Sequence, residues 1–161
     1  MQEIYSRRSI RKYQDKMIDD KIITEILRAG MNAPSAKNLR PYEFIVVKCG
    51  DMLTKLANIK PAGHMLDGSA FAIISLARET SEFWQQDMGA STQNMLLMAE
   101  HYDIGSCWIG IREEQETIIR EIMGVPDDLH IFNIIAFGYK AEDKSNNDFF
   151  DTSRIHYEKY Y

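Results

Sequence analysis

The heptapeptide "FAIISLA", Phe71–Ala77, is a continuous apolar run with only one hydroxyl in it. A run of this kind suits a strand covered on both faces, so the chain has to supply helices to either side of a sheet. Candidates stand before and after it. Asp19 or Asp20 caps a helix that carries Ile22, Ile23, Ile26, Leu27 and Met31 at helical spacing and is ended by Pro34. A longer helix is expected from about Glu82 to Tyr102, where "NMLLMA" is apolar enough to be buried nearly all round, as in a central or interface helix. "EEQETIIREIMGVP" predicts another, stopping at Gly124 and Pro126. Tyr42–Lys48 reads as a strand, followed by a short helix through Leu53 and Leu56. Ile131–Tyr139 reads as a further strand, and Gly105–Gly110, "GSCWIG", as a loop or short strand. Strand followed by helix reads at first as an α/β pattern.

At 161 residues and 45% hydrophobic content the chain can bury a core, and one domain over residues 1–161 is the default. The region from about 140 to 161 is polar and aromatic without a period, and such a tail needs a surface to lie on, a partner subunit's being one candidate. Asp and Glu number 24 against 19 Lys and Arg, an acidic balance that argues against a general nucleic-acid binder. Cys49 and Cys107 form neither a CxxC pair nor a Cys/His cluster, so no zinc signature or disulfide framework is expected, and a reducing cytosol fits. The opening "MQEIYSRRSI" has no apolar signal region and no run is long enough to span a bilayer, so a cytoplasmic protein is expected.

"SRRSIRKY", Ser6–Tyr13, crowds Arg7, Arg8, Arg11 and Lys12 around Ser9 in a chain of net charge -5. Like charges this close repel, so the stretch is either a solvated surface patch or a socket for a phosphate or carboxylate. The glycines of "GSCWIGIR" have P-loop spacing, but Ile111 and Arg112 stand where Lys and Ser or Thr are needed, and no GxGxxG follows a strand. Cys107 could pair with one of His64, His101, His130 or His156 as a nucleophile, yet no protease-type signature surrounds it and a small buried hydrophobe is the plainer role. Asp19 with Asp20, and Asp127 with Asp128, fall at helix starts or turns, where capping accounts for them. "APSAKNLRP", Ala33–Pro41, is either a stiff connecting loop or, through Ser35 and Asn38 among small apolar residues, a rest for a flat heterocycle with polar edges.

Taken in order and spacing, "RRSIRKY", "APSAKNLRPYEFIVV", "WQQDMGASTQNMLLMAEHYDIGSCWIG" and "AFGY" closely resemble the flavin-dependent nitroreductase family, from Arg7 to about Glu158. That resemblance replaces the α/β reading with an α+β homodimer: a mainly antiparallel sheet wrapped by helices, with FMN at the subunit interface. It implies that Arg7, Arg8, Ser9 and Arg11 grip the FMN phosphate and ribityl chain, a guanidinium fork matching phosphate oxygens. It places Pro34, Ser35, Ala36 and Asn38 of the partner subunit on the ring and ribityl chain, with Ala36 where the family has a second serine. Cys107 and Trp108 become a packing surface for the ring, and a backbone N–H of Ile109 or Gly110 is directed at N5. Ser153 and Arg154, in "TSRIHYE", approach the phosphate. His64, with Lys60 close by, takes the place of a basic residue near flavin N1 and O2. The implied activity is reduction of nitroaromatics, quinones or similar acceptors by NADH or NADPH in ping-pong fashion. Other flavin chemistry, such as dehydrogenation, dehalogenation or flavin fragmentation, and a non-catalytic flavin-binding role are the alternatives. Small-molecule substrates are implied as partners, with neither nucleic acid nor membrane.

Overall fold

The computed structural model describes residues 2–145 and 149–160, so the tail expected over about 140–161 is described except for 146–148 and 161. Nine helices and strands are named here in chain order: α1 Glu3–Ser6, α2 Asp20–Met31, β1 Tyr42–Val47, α3 Gly50–Ala57, β2 Phe71–Ala77, α4 Trp84–His101, β3 Ile104–Gly110, α5 Glu113–Met123 and β4 His130–Tyr139. Short 3₁₀ turns occur at Ala36–Asn38, Pro61–Leu66 and Thr152–Arg154.

The strands form one sheet in the order β1-β2-β4-β3, every neighbouring pair antiparallel. The initial α/β reading therefore fails and the α+β reading holds. The reason lies in where the connections return. β2 starts beside the end of β1, Val47 opposite Ala72, so α3 and the turn after it make an excursion rather than the full crossover a parallel pair requires. "GSCWIG" is a full strand, preceded by Ile104 and lying at one edge of the sheet.

Both faces of β2 are covered, as its composition demands, and all seven of its residues are buried. Against one face α2 and α4 pack Ile23, Ile26, Met95 and Ala99 onto Phe71, Ile73, Ile135 and Phe137. The Phe71 and Phe137 rings stack with centroids 4.7 Å apart. Against the other face, Leu53, Leu56, Leu66 and Ile119 meet Ala72, Ile74, Ile134 and Ala136. Each fully buried aliphatic or aromatic side chain contributes about 1.5–3 kcal/mol, so these two layers dominate the folding energy.

Local signals act where the sequence places them. Asp19 caps α2 by accepting the Lys21 N–H, and α5 stops at Gly124, whose φ of 66° is a left-handed conformation suited to glycine. Two expectations need adjusting. Met31 lies exposed at the end of α2, and the centre of α4 is not buried all round, because Leu97 and Met98 are only half-buried. With Ile4, Ala29 and Tyr102 they line a groove of about 470 Å³ along α1, α2 and α4. Among the described residues no helix is long and apolar enough to cross a membrane.

Candidate functional site

The basic stretch forms a strap across the β3–β4 end of the sheet. α1 is anchored at the C-terminal end of α4, where the Ser6 hydroxyl donates to Glu100 at 2.8 Å and His101 Nδ1 lies 2.9 Å from the Glu3 carboxylate. The chain then runs extended, and the Ile10 N–H donates to the Ser106 carbonyl at 3.0 Å. Further on, the Gln14 N–H donates to the Tyr139 carbonyl at 2.9 Å. Two glycines directly opposite one another, Gly105 on β3 and Gly138 on β4, make the approach possible. A Cβ on Gly105 would lie 2.9 Å from Ile10, and one on Gly138 2.6 Å from Tyr13 Cγ. Tyr13 fills that space and its hydroxyl donates to the Ile10 carbonyl at 2.7 Å. Burial, with Cys107 and Glu142 nearby, pushes its phenol above the usual range.

Along this strap the cations meet different partners. Arg8 donates to the backbone carbonyls of Ser145, Tyr5 and Arg7, and it lies 5.9 Å from the Phe149 ring centre. The Arg11 backbone N–H donates to Glu142, and the Arg11 guanidinium to the Ser9 carbonyl at 3.3 Å. Lys144 joins them, donating to the Ser9 carbonyl and pairing with Glu142. Arg7 differs: its Nε is buried and has no hydrogen-bond partner among the described residues. Burial raises the Cys107 thiol, while Arg11, Lys144 and Arg7 pull it the other way.

β3 presents two different faces. Cys107 is sealed among the residues under the strap, whereas Trp108 points to the opposite face, 39% exposed, with its ring 5.7 Å from Phe132. Alternation along an antiparallel edge strand turns the backbone groups of Ser106, Trp108 and Gly110 outward and those of Cys107 and Ile109 toward β4. Two contacts follow that rule: the Ser106 carbonyl accepts from Ile10, and the Gly110 carbonyl accepts from Lys60 Nζ at 2.6 Å. His64 lies in the Pro61–Leu66 turn, its Nδ1 3.0 Å from the Pro61 carbonyl, on a polar cleft with Thr54, Asn58 and Asp67.

The Pro-Ser loop is moored elsewhere. The Ala36 N–H donates to both oxygens of Asp87, at 3.0 and 3.2 Å, and Asp87 is buried in the first turn of α4. The Ser35 hydroxyl accepts the Arg40 N–H at 2.9 Å, Asn38 accepts from the Arg40 guanidinium, and the Tyr42 hydroxyl donates to the carbonyls of Ala33 and Pro34. Lys37, Asn38 and Arg40 all have positive φ, a strained form for residues with a Cβ and one held here by this bonding. Pro34 and Asn38 remain exposed, Ser35 and Ala36 half-buried. In the tail, Asp151 caps a single turn by accepting from the Ser153 N–H and hydroxyl, and Arg154 pairs with the same carboxylate at 3.1 Å.

One chain thus brings Arg7, Arg8, Ser9, Arg11 and the first part of β3 together, with Lys60 at the far end of that strand. It keeps the loop of Pro34, Ser35, Ala36 and Asn38 at the other end of α4 from the strap. Asp87 and Glu100, thirteen helical steps apart, are roughly 20 Å from each other at 1.5 Å per residue. The supporting residues that composition did not single out are Tyr13, Glu142, Lys144 and Asp87. Asp87 follows two glutamines in a mixed polar and apolar helix, so nothing in the sequence marked it. Among the described residues there is no group of His, Cys, Asp and Glu that could hold a metal ion.

The comparisons with known proteins fall on the same chain segments. The model of the nitroreductase family matches residues 4–68 and 60–139. A protein of Archaeoglobus fulgidus with a provisional name, NADH dehydrogenase/NAD(P)H nitroreductase, is 40% identical, covering 98% of this chain and 96% of its own. The structure of an FMN-dependent nitroreductase from Clostridium difficile R20291 superposes with a TM-score of 0.94 at 32% identity, over 98% of both chains. A provisionally named nitroreductase of Desulfovibrio desulfuricans, solved in complex with FMN, superposes with a TM-score of 0.89 at 30% identity, over 99% of this chain and 96% of its own.

Proposed function

The chain belongs to the nitroreductase family, and from that premise we propose that it is an FMN-dependent oxidoreductase that passes electrons from NADH or NADPH to an electron-poor acceptor such as a nitroaromatic or a quinone. The observation that carries the FMN assignment is Arg7. Its buried Nε lacks a partner, in a strap that also offers Ser9, Arg8 and Arg11 beside Lys144. An orphaned buried donor costs about 1–3 kcal/mol, and a phosphate oxygen would remove that cost. The donor set therefore fits a phosphate group.

When bound, FMN would supply the redox chemistry, taking a hydride from the reduced nicotinamide and giving up two electrons to the acceptor in a separate, ping-pong half-reaction. The chain's own part is to bind, orient and shield. Arg7, Arg8, Ser9 and Arg11 hold the phosphate and ribityl chain, and Ser153 and Arg154 of the tail add to that grip. Of the two candidate N–H groups for N5, alternation favours Gly110, since that of Ile109 faces β4. With no side chain on Gly110, the ring can approach the backbone closely. Trp108 offers exposed ring surface, while Cys107 acts from beneath by filling the space under the strap.

The Pro-Ser loop cannot reach this end of its own chain, so a second copy supplies Pro34, Ser35, Ala36 and Asn38, and the active unit is a homodimer of one-domain chains spanning 1–161. The apolar groove of Ile4, Ala29, Leu97 and Met98 supports such an assembly. Residence in the reducing cytosol fits two free thiols, Cys49 and Cys107.

The test is a visible spectrum of the purified protein, with FMN added if it is colourless, followed by NADH or NADPH without oxygen. Flavin absorbance that bleaches on mixing supports the oxidoreductase reading. Flavin that binds but stays oxidised replaces it with a binding role, and failure to take up FMN ends the assignment.

A further inference from the structure

Lys37 and Arg40 stand exposed on the Pro-Ser loop, on either side of Asn38 and Leu39. Among the described residues neither makes an ion pair, and the Lys37 side chain makes no hydrogen bond. In a chain of net charge -5 other exposed cations do find a carboxylate: Arg28 pairs with Glu25, Lys48 with Asp20 and Arg78 with Glu43. The carboxylate beneath the loop, Asp87, is buried and turned to the Ala36 N–H, so it does not answer these charges.

The backbone holds the two cations in place. Lys37 has a φ of 51° and Arg40 of 49°, with Asn38 at 57° between them, in the left-handed region that residues with a Cβ occupy only at a cost. The Ser35 hydroxyl accepts the Arg40 N–H, Asn38 accepts from the Arg40 guanidinium, and Pro34 and Pro41 stiffen the two ends. A loop already fixed in this way loses little further freedom when its charge meets a ligand.

Resting on the FMN reading and the two-copy site above, we propose that Lys37, in the field of Arg40, binds a phosphate of the reduced nicotinamide nucleotide. That reading assigns Ser35, Ala36 and Asn38 to the ring and ribityl chain. Lys37 lies between Ala36 and Asn38 in the chain with its side chain in solvent, which puts its ammonium at the border of the flavin site. A nicotinamide laid on the ring for hydride transfer leaves its phosphates at such a border. The FMN phosphate is met by the strap, so the cations of the loop are free for a second phosphate, which an ammonium meets as a point charge. Two sources carry that chemistry: the diphosphate common to NADH and NADPH, and the 2′-phosphate of NADPH alone.

The experiment is calorimetric binding of the tetrahydronicotinamide forms of NADH and NADPH, which cannot give up a hydride, to the FMN-loaded full-length protein. It is paired with anaerobic reduction of the bound flavin by NADH and by NADPH, for wild type, Lys37→Gln and Lys37→Arg. Lys37→Gln is expected to weaken binding and slow second-order flavin reduction about tenfold, and to flatten the dependence of that rate on salt. Lys37→Arg should hold near wild type because the charge is kept. FMN affinity and reoxidation of the reduced flavin by a neutral quinone should not change. A loss with both nucleotides assigns the diphosphate and a loss with NADPH alone the 2′-phosphate, and either result supports the proposal. Binding and reduction that ignore Lys37→Gln overturn it. So does a matching loss in quinone reoxidation, which marks a general disturbance of the site. Should Lys37→Gln not fold, Lys37→Gly is read by the same measures, since glycine takes the left-handed backbone freely. A wild-type chain that takes up no FMN, or whose flavin neither nucleotide reduces, overturns the function proposed above and this inference with it. That outcome is distinct from a reducible flavin that ignores Lys37.

Discussion

Replacing Gly138 by alanine tests whether the strap is held where the cations need it. The new Cβ would lie 2.6 Å from Tyr13 Cγ and 2.7 Å from Tyr13 Cβ and Cδ1. Carbon atoms in contact prefer about 3.5–4.0 Å, so nearly an ångström of overlap must be relieved. Tyr13 cannot swing aside cheaply, because the crowded atoms are at the root of its side chain. Its hydroxyl is bonded to the Ile10 carbonyl, and the backbone on either side is bonded to Ser106 and Tyr139. Alanine in a strand is intrinsically better than glycine by about 0.5–1 kcal/mol, whereas overpacking costs about 1–3 kcal/mol. The overlap wins, and the net loss is about 1–2 kcal/mol. For a chain of 161 residues, that lowers the melting temperature by roughly 2–8 °C. Moving the strap carries Ser9 and Arg11 with it, so FMN affinity should fall about tenfold or more. Differential scanning fluorimetry and a flavin fluorescence titration read the two effects, with Gly50→Ala as control, since nothing lies within 4 Å of a Cβ at that position. In a double-mutant cycle, Tyr13→Ala should cost less in the alanine background than in wild type by about 1 kcal/mol or more. A Gly138→Ala protein that melts no lower than wild type and binds FMN as well would refute this account of the strap.

Three further outcomes are expected. Arg7→Met should leave the cofactor-free protein as stable or more stable, because it removes an unpartnered buried donor costing about 1–3 kcal/mol, while weakening FMN binding at least tenfold. Parallel losses in melting temperature and FMN affinity would contradict it. The Arg11 backbone N–H, together with Lys144, holds the Glu142 carboxyl below its ordinary value of 4.5. A carboxylate favoured in the folded state adds stability above its unfolded pKa and loses it as pH falls through the lower folded one. The stability gap between wild type and Glu142→Gln should therefore be full at pH 7 and close progressively below about pH 4.5, and a gap independent of pH in thermal melts would exclude this role. Removing the chain from Phe149 onward strips off Phe149, Phe150, Tyr157 and Tyr160, all largely exposed in one chain. It should weaken both self-association in sedimentation velocity and FMN retention on gel filtration, and a tight, yellow, dimeric truncation would show that the tail serves neither.

The elements legible in the sequence are those set by local chemistry. Asp19 announces α2, Gly124 stops α5, and the apolar run of Phe71–Ala77 is a strand covered on both faces, because each signal lies within a few residues of the structure it determines. The direction of the strands was not legible in this way. Whether α3 crosses over or merely returns depends on Val47 meeting Ala72, a pairing with no local mark. The same limit applies to the site. Through charge alone, Arg7, Arg8 and Arg11 read as either a solvated patch or an anion socket. The strap that positions them depends on Gly105 and Gly138, which read as ordinary small residues until Ile10 and Tyr13 are laid over them. Lys60 and Gly110, or Ala36 and Asp87, meet across about fifty residues of chain, and only the tertiary structure brings them together.

The placement of those contacts also bears on why the residues of the resemblance divide into two groups. α4 carries the Pro-Ser loop at its first turn through Asp87 and the strap at its last through Glu100 and His101. A rigid helix fixes that separation at roughly 20 Å, and no side-chain rotation can close it. Between the two ends the helix exposes Leu97 and Met98 beside Ile4, apolar surface that a single chain leaves wet. Antiparallel pairing of two such helices would reverse one relative to the other and set the loop of each copy beside the strap of its neighbour, while burying the apolar face between them. In the proposed homodimer, the element that separates loop from strap in one chain would bring them together in two. In that proposed assembly cofactor binding and self-association would be linked, since each ligand site would draw on both copies.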